Sequence, residues 1–107
     1  MSKDVENQIL IGSKPVEDYL IIAARMLRNY NEVFIMARGR NISRAVEVLE
    51  RLKKELYGLK YQIETGTEIF QGSDGRPKHV SFIRIRVYRE RGDIFVPRLS
   101  RLPTLRG

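Results

Sequence analysis

Val33-Phe34-Ile35-Met36-Ala37-Arg38-Gly39-Arg40-Asn41-Ile42-Ser43-Arg44 is the stretch whose reading decides the fold. Its first five residues are apolar without interruption between turn signals and read as a buried strand. Ile42, Ala45, Val46, Leu49, Leu52 and Leu56 then recur at helical spacing, so a helix starts near Asn41 and is closed by Gly58. A strand that turns into a helix through Arg38-Gly39-Arg40 sets guanidinium groups beside the free N–H groups of a helix start, an arrangement suited to phosphate. Gly39 permits positive φ and close backbone approach. Asn41 or Ser43 can cap the helix, and Arg44 lies one turn in, near the same end. An ordinary loop with solvated arginines has the same composition, so the neighbouring segments must decide between the two readings.

Upstream, Gln8-Ile9-Leu10-Ile11 reads as a short strand stopped by the turn Gly12-Ser13-Lys14-Pro15. Pro15 presets the first turn of a helix, and Glu17 and Asp18 suit its dipole. Val16, Tyr19, Leu20, Ala23, Leu27 and Tyr30 follow helical spacing, with an end near residues 29–31 because asparagine tolerates left-handed torsions. Downstream, Tyr61, Ile63, Thr65, Thr67 and Ile69 alternate with polar residues. Asp74-Gly75 marks a turn, and Ile83, Ile85 and Val87 alternate on the return, which makes a hairpin. The predicted fold class is α/β, an α+β two-layer sandwich. Its order is β-α-β-α-β-β, with a four-stranded mixed sheet, two helices on one face and an extended terminal hairpin. Right-handed crossovers bring both strand-to-helix turns to one edge of the sheet, so Lys14 and the Arg38/Arg40 pair share a surface. Residues 1–91 read as one domain. Residues 92–107, with Pro97, Pro103, three leucines and three arginines after Val96, read as an extended basic tail that orders by docking.

The charge is uneven. Residues 1–35 carry four Lys/Arg and five Asp/Glu, whereas residues 36–107 carry sixteen and eight. Fourteen of the twenty cations are arginine, the residue that grips phosphate with two parallel hydrogen bonds. A solvated basic surface in a heat-adapted protein is the competing account. With no cysteine in the chain, disulfides, thiolate metal sites and thiol catalysis are excluded. No apolar run reaches membrane-spanning length and residues 1–7 lack a signal-peptide core, so a soluble, cytoplasmic protein is expected. His79 is the single histidine and reads as an exposed hairpin residue. No nucleotide-loop, metal-ligand or nucleophile pattern is present. A non-enzymatic protein with no cofactor, no metal and no small-molecule substrate is expected.

Arg76 and Lys78 make the hairpin tip basic, either to follow a nucleic-acid groove or simply to solubilise an edge. Arg84 and Arg86 share a strand face with Phe82 and Tyr88. They form a stacking platform for bases, pair across the strands with Glu64 or Glu68, or face a second subunit. On the helix starting near Asn41, Glu47 with Arg51 and Glu50 with Lys54 are i,i+4 pairs worth about 0.3–0.5 kcal/mol each.

Three segments together resemble the Alba family of archaeal chromatin proteins. They are Ile11-Gly12-Ser13-Lys14-Pro15-Val16 with Tyr19, then Ala37-Arg38-Gly39-Arg40-Asn41-Ile42-Ser43-Arg44-Ala45-Val46, then Ser73-Asp74-Gly75-Arg76. The resemblance covers residues 7–90. It implies a homodimer that binds double-stranded DNA without strong sequence preference, with RNA as the alternative ligand, and a nucleoid-associated location. It places Lys14, Arg38, Gly39, Arg40, Asn41 and Arg44 at the phosphate backbone, and Arg76 and Lys78 on arms reaching for the minor groove. It puts Leu56, otherwise a plain core leucine, at a dimer–dimer contact along DNA. There are three departures. Ser13 stands where many family members have a lysine subject to acetylation, the hairpin reads as slightly short, and the tail has no counterpart. An RNA-processing subunit and an interaction protein docked through its tail are the competing functional classes.

Overall fold

The computed structural model describes residues 7–89 and the strand Val96–Pro97. Alternation builds the sheet. In β2 (Glu32–Arg38), Val33, Ile35 and Ala37 are buried while Phe34 and Met36 are half-buried. The apolar run therefore has only one fully buried face, because both helices lie on the same side. β1 (Gln8–Leu10) pairs parallel with β2, Gln8 opposite Phe34. β5 (Pro77–Tyr88) pairs antiparallel with β2, and β4 (Lys60–Gln71) closes the order β1-β2-β5-β4. The four-stranded mixed sheet and the two helices agree with the sequence reading. The helix-side core is Ile9, Ile11, Val33, Ile35, Ala37, Ile83, Ile85 and Val87 from the sheet, against the two helix stripes.

α1 (Val16–Asn29) buries Val16, Tyr19, Ala23 and Leu27, and α2 (Ile42–Glu55) buries Ala45, Val48, Leu49 and Leu52. Spacings of three, four and seven give each helix one stripe. Fully burying a Leu, Ile or Val side chain contributes about 1.5–3 kcal/mol, which is the main term holding the layers together. Val48 is in the core where the sequence suggested Val46. At 100° per residue, position 48 lies closer to the Ala45–Leu52 axis, and Val46 is 39% exposed.

Both helix ends differ from the sequence reading. α1 stops after Asn29, yet no asparagine turns left-handed. Tyr30 goes directly to extended backbone while its N–H donates to the Met26 carbonyl at 2.9 Å. α2 stops at Glu55, three residues before Gly58. A short strand β3 (Leu56–Tyr57) intervenes, and Gly58 at φ 82° turns it into β4. β3 pairs antiparallel with β6 (Val96–Pro97), Leu56 opposite Pro97, so one piece of the expected tail is extended against the domain. The other tail residues lie outside the described ones. The expected i,i+4 pairs are replaced by Arg51–Glu17 between the helices and Lys53–Glu50 within α2.

Strand direction decides where the turns and the hairpin emerge. β1 and β2 are parallel, so their C-terminal turns leave one edge together. β5 runs the other way, and its last pairing with β2 is Phe82 opposite Arg38. The β4–β5 hairpin continues past that point and projects from the same edge. The stretch of β5 back to Pro77, paired with β4 but not with β2, is about 17 Å long at strand rise.

Candidate nucleic-acid interface

The first turn is held from two sides. Ile11 N–H donates to the Met36 carbonyl at 2.8 Å, continuing the parallel pairing. The hydroxyl of Tyr19, itself buried in α1, accepts from Gly12 N–H at 2.8 Å and Lys14 N–H at 3.3 Å. From α2, Arg44 Nε donates to the Gly12 carbonyl at 2.9 Å. The Gly12 N–H and carbonyl and the Lys14 N–H are thus spent on the protein, while the Lys14 side chain is exposed. Glu17 and Asp18 occupy the first turn of α1 and make that helix start unfriendly to anions. The Glu17 carboxyl is held below its usual range by a backbone hydrogen bond, and further by Arg51.

The second turn is open. Arg38 ends β2, Gly39 takes φ 56°, and Gly39–Asn41 forms one 3₁₀ turn leading into α2. The positive φ is the requirement that Gly39 meets. No acidic residue lies in the first turn of α2, so its N-terminus keeps its positive character. Neither Asn41 nor Ser43 caps it. Asn41 is helical rather than extended and makes no side-chain cap bond, because the 3₁₀ turn already bonds Ile42 N–H to the Gly39 carbonyl. Arg40 is exposed with no partner among the described residues. Arg38 Nε donates to Glu68 Oε1 at 2.7 Å with the Phe70 ring 5.8 Å from its guanidinium carbon. That carboxylate raises the pKa of Arg38 above its ordinary value. An open groove between the turns is lined by Leu10, Gly12, Ser13, Lys14, Tyr19, Arg38 and Asn41.

Arg44 sits differently from the others. It is half-buried, with its Nε on Gly12 and its Nη2 buried without a partner among the described residues. It ties one turn to the other. At the hairpin tip Gly75 takes φ 84° and its N–H bonds the Gly72 carbonyl at 2.9 Å, while Arg76 N–H caps Asp74 Oδ1 at 3.0 Å. Arg76, Lys78 and His79 are exposed there. Leu56 is half-buried, packs on the core, and lies in β3 beside the exposed Tyr57.

On the helix-free face Arg84 lies 4.3 Å over Phe34 and 3.8 Å from Glu64. Arg86 lies 4.0 Å over Tyr88 and bonds Glu32 at 2.6 Å and Gln62 at 3.1 Å. Cross-strand pairing therefore applies, with Glu32 rather than Glu68 holding Arg86, and the two rings are roofed by the chain's own guanidinium groups. Two residues of the site were not found from sequence. Tyr19 looked like a core position, and only its place five residues after Lys14 hinted that its hydroxyl could reach back. Glu68 meets Arg38 across an intervening strand, which no local pattern signals.

This two-layer domain, with its cations gathered at the edge where two parallel strands turn into helices, is of the class the motifs suggested. The Alba family model matches residues 7–69, and the chain belongs to that family. A protein of Nanoarchaeum equitans named DNA/RNA-binding protein Alba is 36% identical over 90 residues, covering 78% of this chain and 98% of the relative. One of the same name from Nitrosopumilus maritimus is 36% identical over 92 residues, covering 83% and 97%. Among solved structures, Alba from Thermoplasma volcanium superposes with TM-score 0.68 at 36% identity, over 78% of this chain and all of that one (100%). ALBA1 from Trypanosoma brucei gives 0.63 at 26% identity, over 81% and 72%.

Proposed function

We propose that this protein binds double-stranded DNA with little sequence preference, coating or compacting it as a homodimer in the nucleoid. The observation that carries this reading is the convergence of Lys14, Arg38, Arg40 and the α2 N-terminus on one edge, with the basic hairpin tip projecting from that same edge. Cations on one edge can follow a phosphate backbone, and a thin two-stranded arm suits the minor groove. The relatives' names, DNA/RNA-binding protein, support the ligand class. Arg44 supports the edge from within by holding the first turn to the second helix. Partly exposed apolar side chains on the helix-free face, Leu10 and Phe70 with Phe34 and Met36, support a second copy as the cover. Leu56 is the residue we propose for dimer–dimer contact, with the exposed Tyr57 beside it extending that surface. In this reading the protein has no enzymatic role. Among the described residues there is no grouping of potential metal ligands, and no helix is long and apolar enough to cross a membrane.

The test is a salt titration with competition. A dimer meeting about six to ten phosphates loses on the order of 10³–10⁵ in duplex affinity between about 50 and 200 mM salt. A flat response would refute phosphate-led binding. RNA is the second reading, supported by the relatives' double name. Structured RNA outcompeting duplex DNA at physiological salt would select it.

A further inference from the structure

We propose that Glu68 sets the affinity of this interface by occupying, in the free protein, the guanidinium that a phosphate takes in the complex. The proposal rests on the reading of Arg38 as a phosphate contact. Arg38 is the cation at the end of β2, and its Nε meets Glu68 Oε1 at 2.7 Å, the range of a charge-assisted hydrogen bond. The other exposed cations of the proposed interface are held less closely. Lys14 and Arg40 have no side-chain ion pair among the described residues, and Arg76 Nε stands 3.9 Å from Asp74. The Arg38 and Glu68 side chains are 50% and 38% exposed, so an incoming polyanion reaches the pair directly.

The contact spans the sheet. Arg38 lies opposite Phe82 of β5, Phe82 lies opposite Gly66 of β4, and Glu68 stands two residues further along β4, where the arm leaves the body. A carboxylate and a phosphate are both oxyanions that accept hydrogen bonds from a guanidinium in its plane, so a phosphate approaching the Nε edge of Arg38 competes with Glu68. A phosphate that binds Arg38 either displaces Glu68 or sits against its negative charge, and both lower affinity. Displacement also leaves a carboxylate to recruit a cation. The exchange therefore releases fewer net counterions than binding by an unpaired arginine, and the salt dependence of this chain is shallower than its number of phosphate contacts implies.

Glu68→Gln removes the charge and keeps the shape. Binding of a short mixed-sequence DNA duplex, with a structured RNA in parallel, is measured across a salt series by fluorescence anisotropy. The panel is the wild-type chain, Glu68→Gln, Arg38→Ala, the double variant, and Glu50→Gln as a charge-matched control away from the edge. Thermal melts confirm that each is folded. Glu68→Gln is expected to bind about two- to fivefold more tightly per site, as expected for release of an exposed ion pair. Its log–log salt slope should steepen by a fraction of the ~0.9 per chain that one fully neutralised phosphate contributes. Glu50→Gln should do neither, and the gain should vanish in the Arg38→Ala background. Unchanged or weaker binding by Glu68→Gln overturns the proposal and makes Glu68 a support for Arg38. A gain that persists without Arg38 overturns it as well, as a simple effect of net charge. If wild type and Arg38→Ala bind alike, the underlying reading of Arg38 fails, and that result is distinct from the Glu68 comparison.

Discussion

Replacing Tyr19 with phenylalanine removes one oxygen atom from the protein and leaves the ring that packs against the core. That oxygen accepts the N–H groups of Gly12 at 2.8 Å and Lys14 at 3.3 Å. A buried donor that loses its partner costs about 1–3 kcal/mol. The turn is only partly buried, so water reaches Lys14 N–H more easily than Gly12 N–H, and the longer bond to Lys14 is the weaker one. The sum for Tyr19→Phe is therefore about 1–3 kcal/mol rather than twice that. In a domain of this size that lowers Tm by roughly 5–15 °C. Thermal unfolding followed by circular dichroism reads the loss. Amide hydrogen exchange at Gly12 and Lys14 locates it, and both amides should exchange faster than in the wild type while β2 amides do not. The Arg44–Gly12 bond remains in the variant, so the turn should loosen without coming away. An unchanged Tm together with unchanged exchange at both amides would refute the account of Tyr19 as the acceptor that holds this turn.

The remaining predictions concern the same edge and its surroundings. Arg38→Ala with Arg40→Ala should weaken all duplexes about equally, and selective loss on one sequence, seen in parallel titrations, would count against backbone recognition. Gly39→Ala should cost about 1–2 kcal/mol because alanine resists φ 56°, whereas Gly12→Ala should cost little. Its added carbon would stand 3.5 Å from the Tyr19 hydroxyl, and urea melts of the pair check the contrast. Glu17 should titrate below the ordinary carboxylate range because a backbone hydrogen bond and then Arg51 favour its charged form. A folded pKa below the unfolded one adds stability that is complete above the unfolded value and is lost as pH falls through the folded value. Arg51→Ala should raise the Glu17 midpoint part of the way back, read by NMR titration of the carboxyl carbon. A midpoint that does not move would refute the Arg51 contribution.

Most of the fold could be read along the chain because its signals are local. The unbroken apolar run of β2, the alternation in β4 and β5, the stripes of α1 and α2, and Asp74-Gly75 each specify their element within a dozen residues. The grouping of Lys14 with Arg38 and Arg40 was also legible, since two strand–helix turns in a row imply parallel strands. The misreadings came where one residue type serves two geometries. Asn29, Asn31 and Asn41 all suggested caps, but Tyr30 and a 3₁₀ turn complete those helix ends with backbone bonds alone. Gly58 looked like a helix stop and is a strand turn, because β3 intervenes and takes up β6, a partner some forty residues away. Arg44, read as a phosphate contact, is also an anchor of the first turn. Its attachment to Gly12 depends on how α2 lies against the first turn, which neither segment encodes alone. The pairing of Arg38 with Glu68 depends on the register of three strands at once.

α2 also separates two parts of the molecule in space. It starts at the Gly39–Asn41 turn and ends at Glu55, and fourteen residues of helix measure about 21 Å. Lys60 begins β4 level with Glu32, at the opposite end of the sheet from Arg38. The β3–β6 patch with Leu56 and Tyr57 therefore stands a full helix length from the cationic edge, on a rod stiffened by its packing against β2 and β5. In the role proposed for this patch, substitutions at Tyr57 should alter how molecules associate while leaving the affinity of a single molecule for its ligand unchanged, so crowding along a polymer and grip on it become separately adjustable quantities.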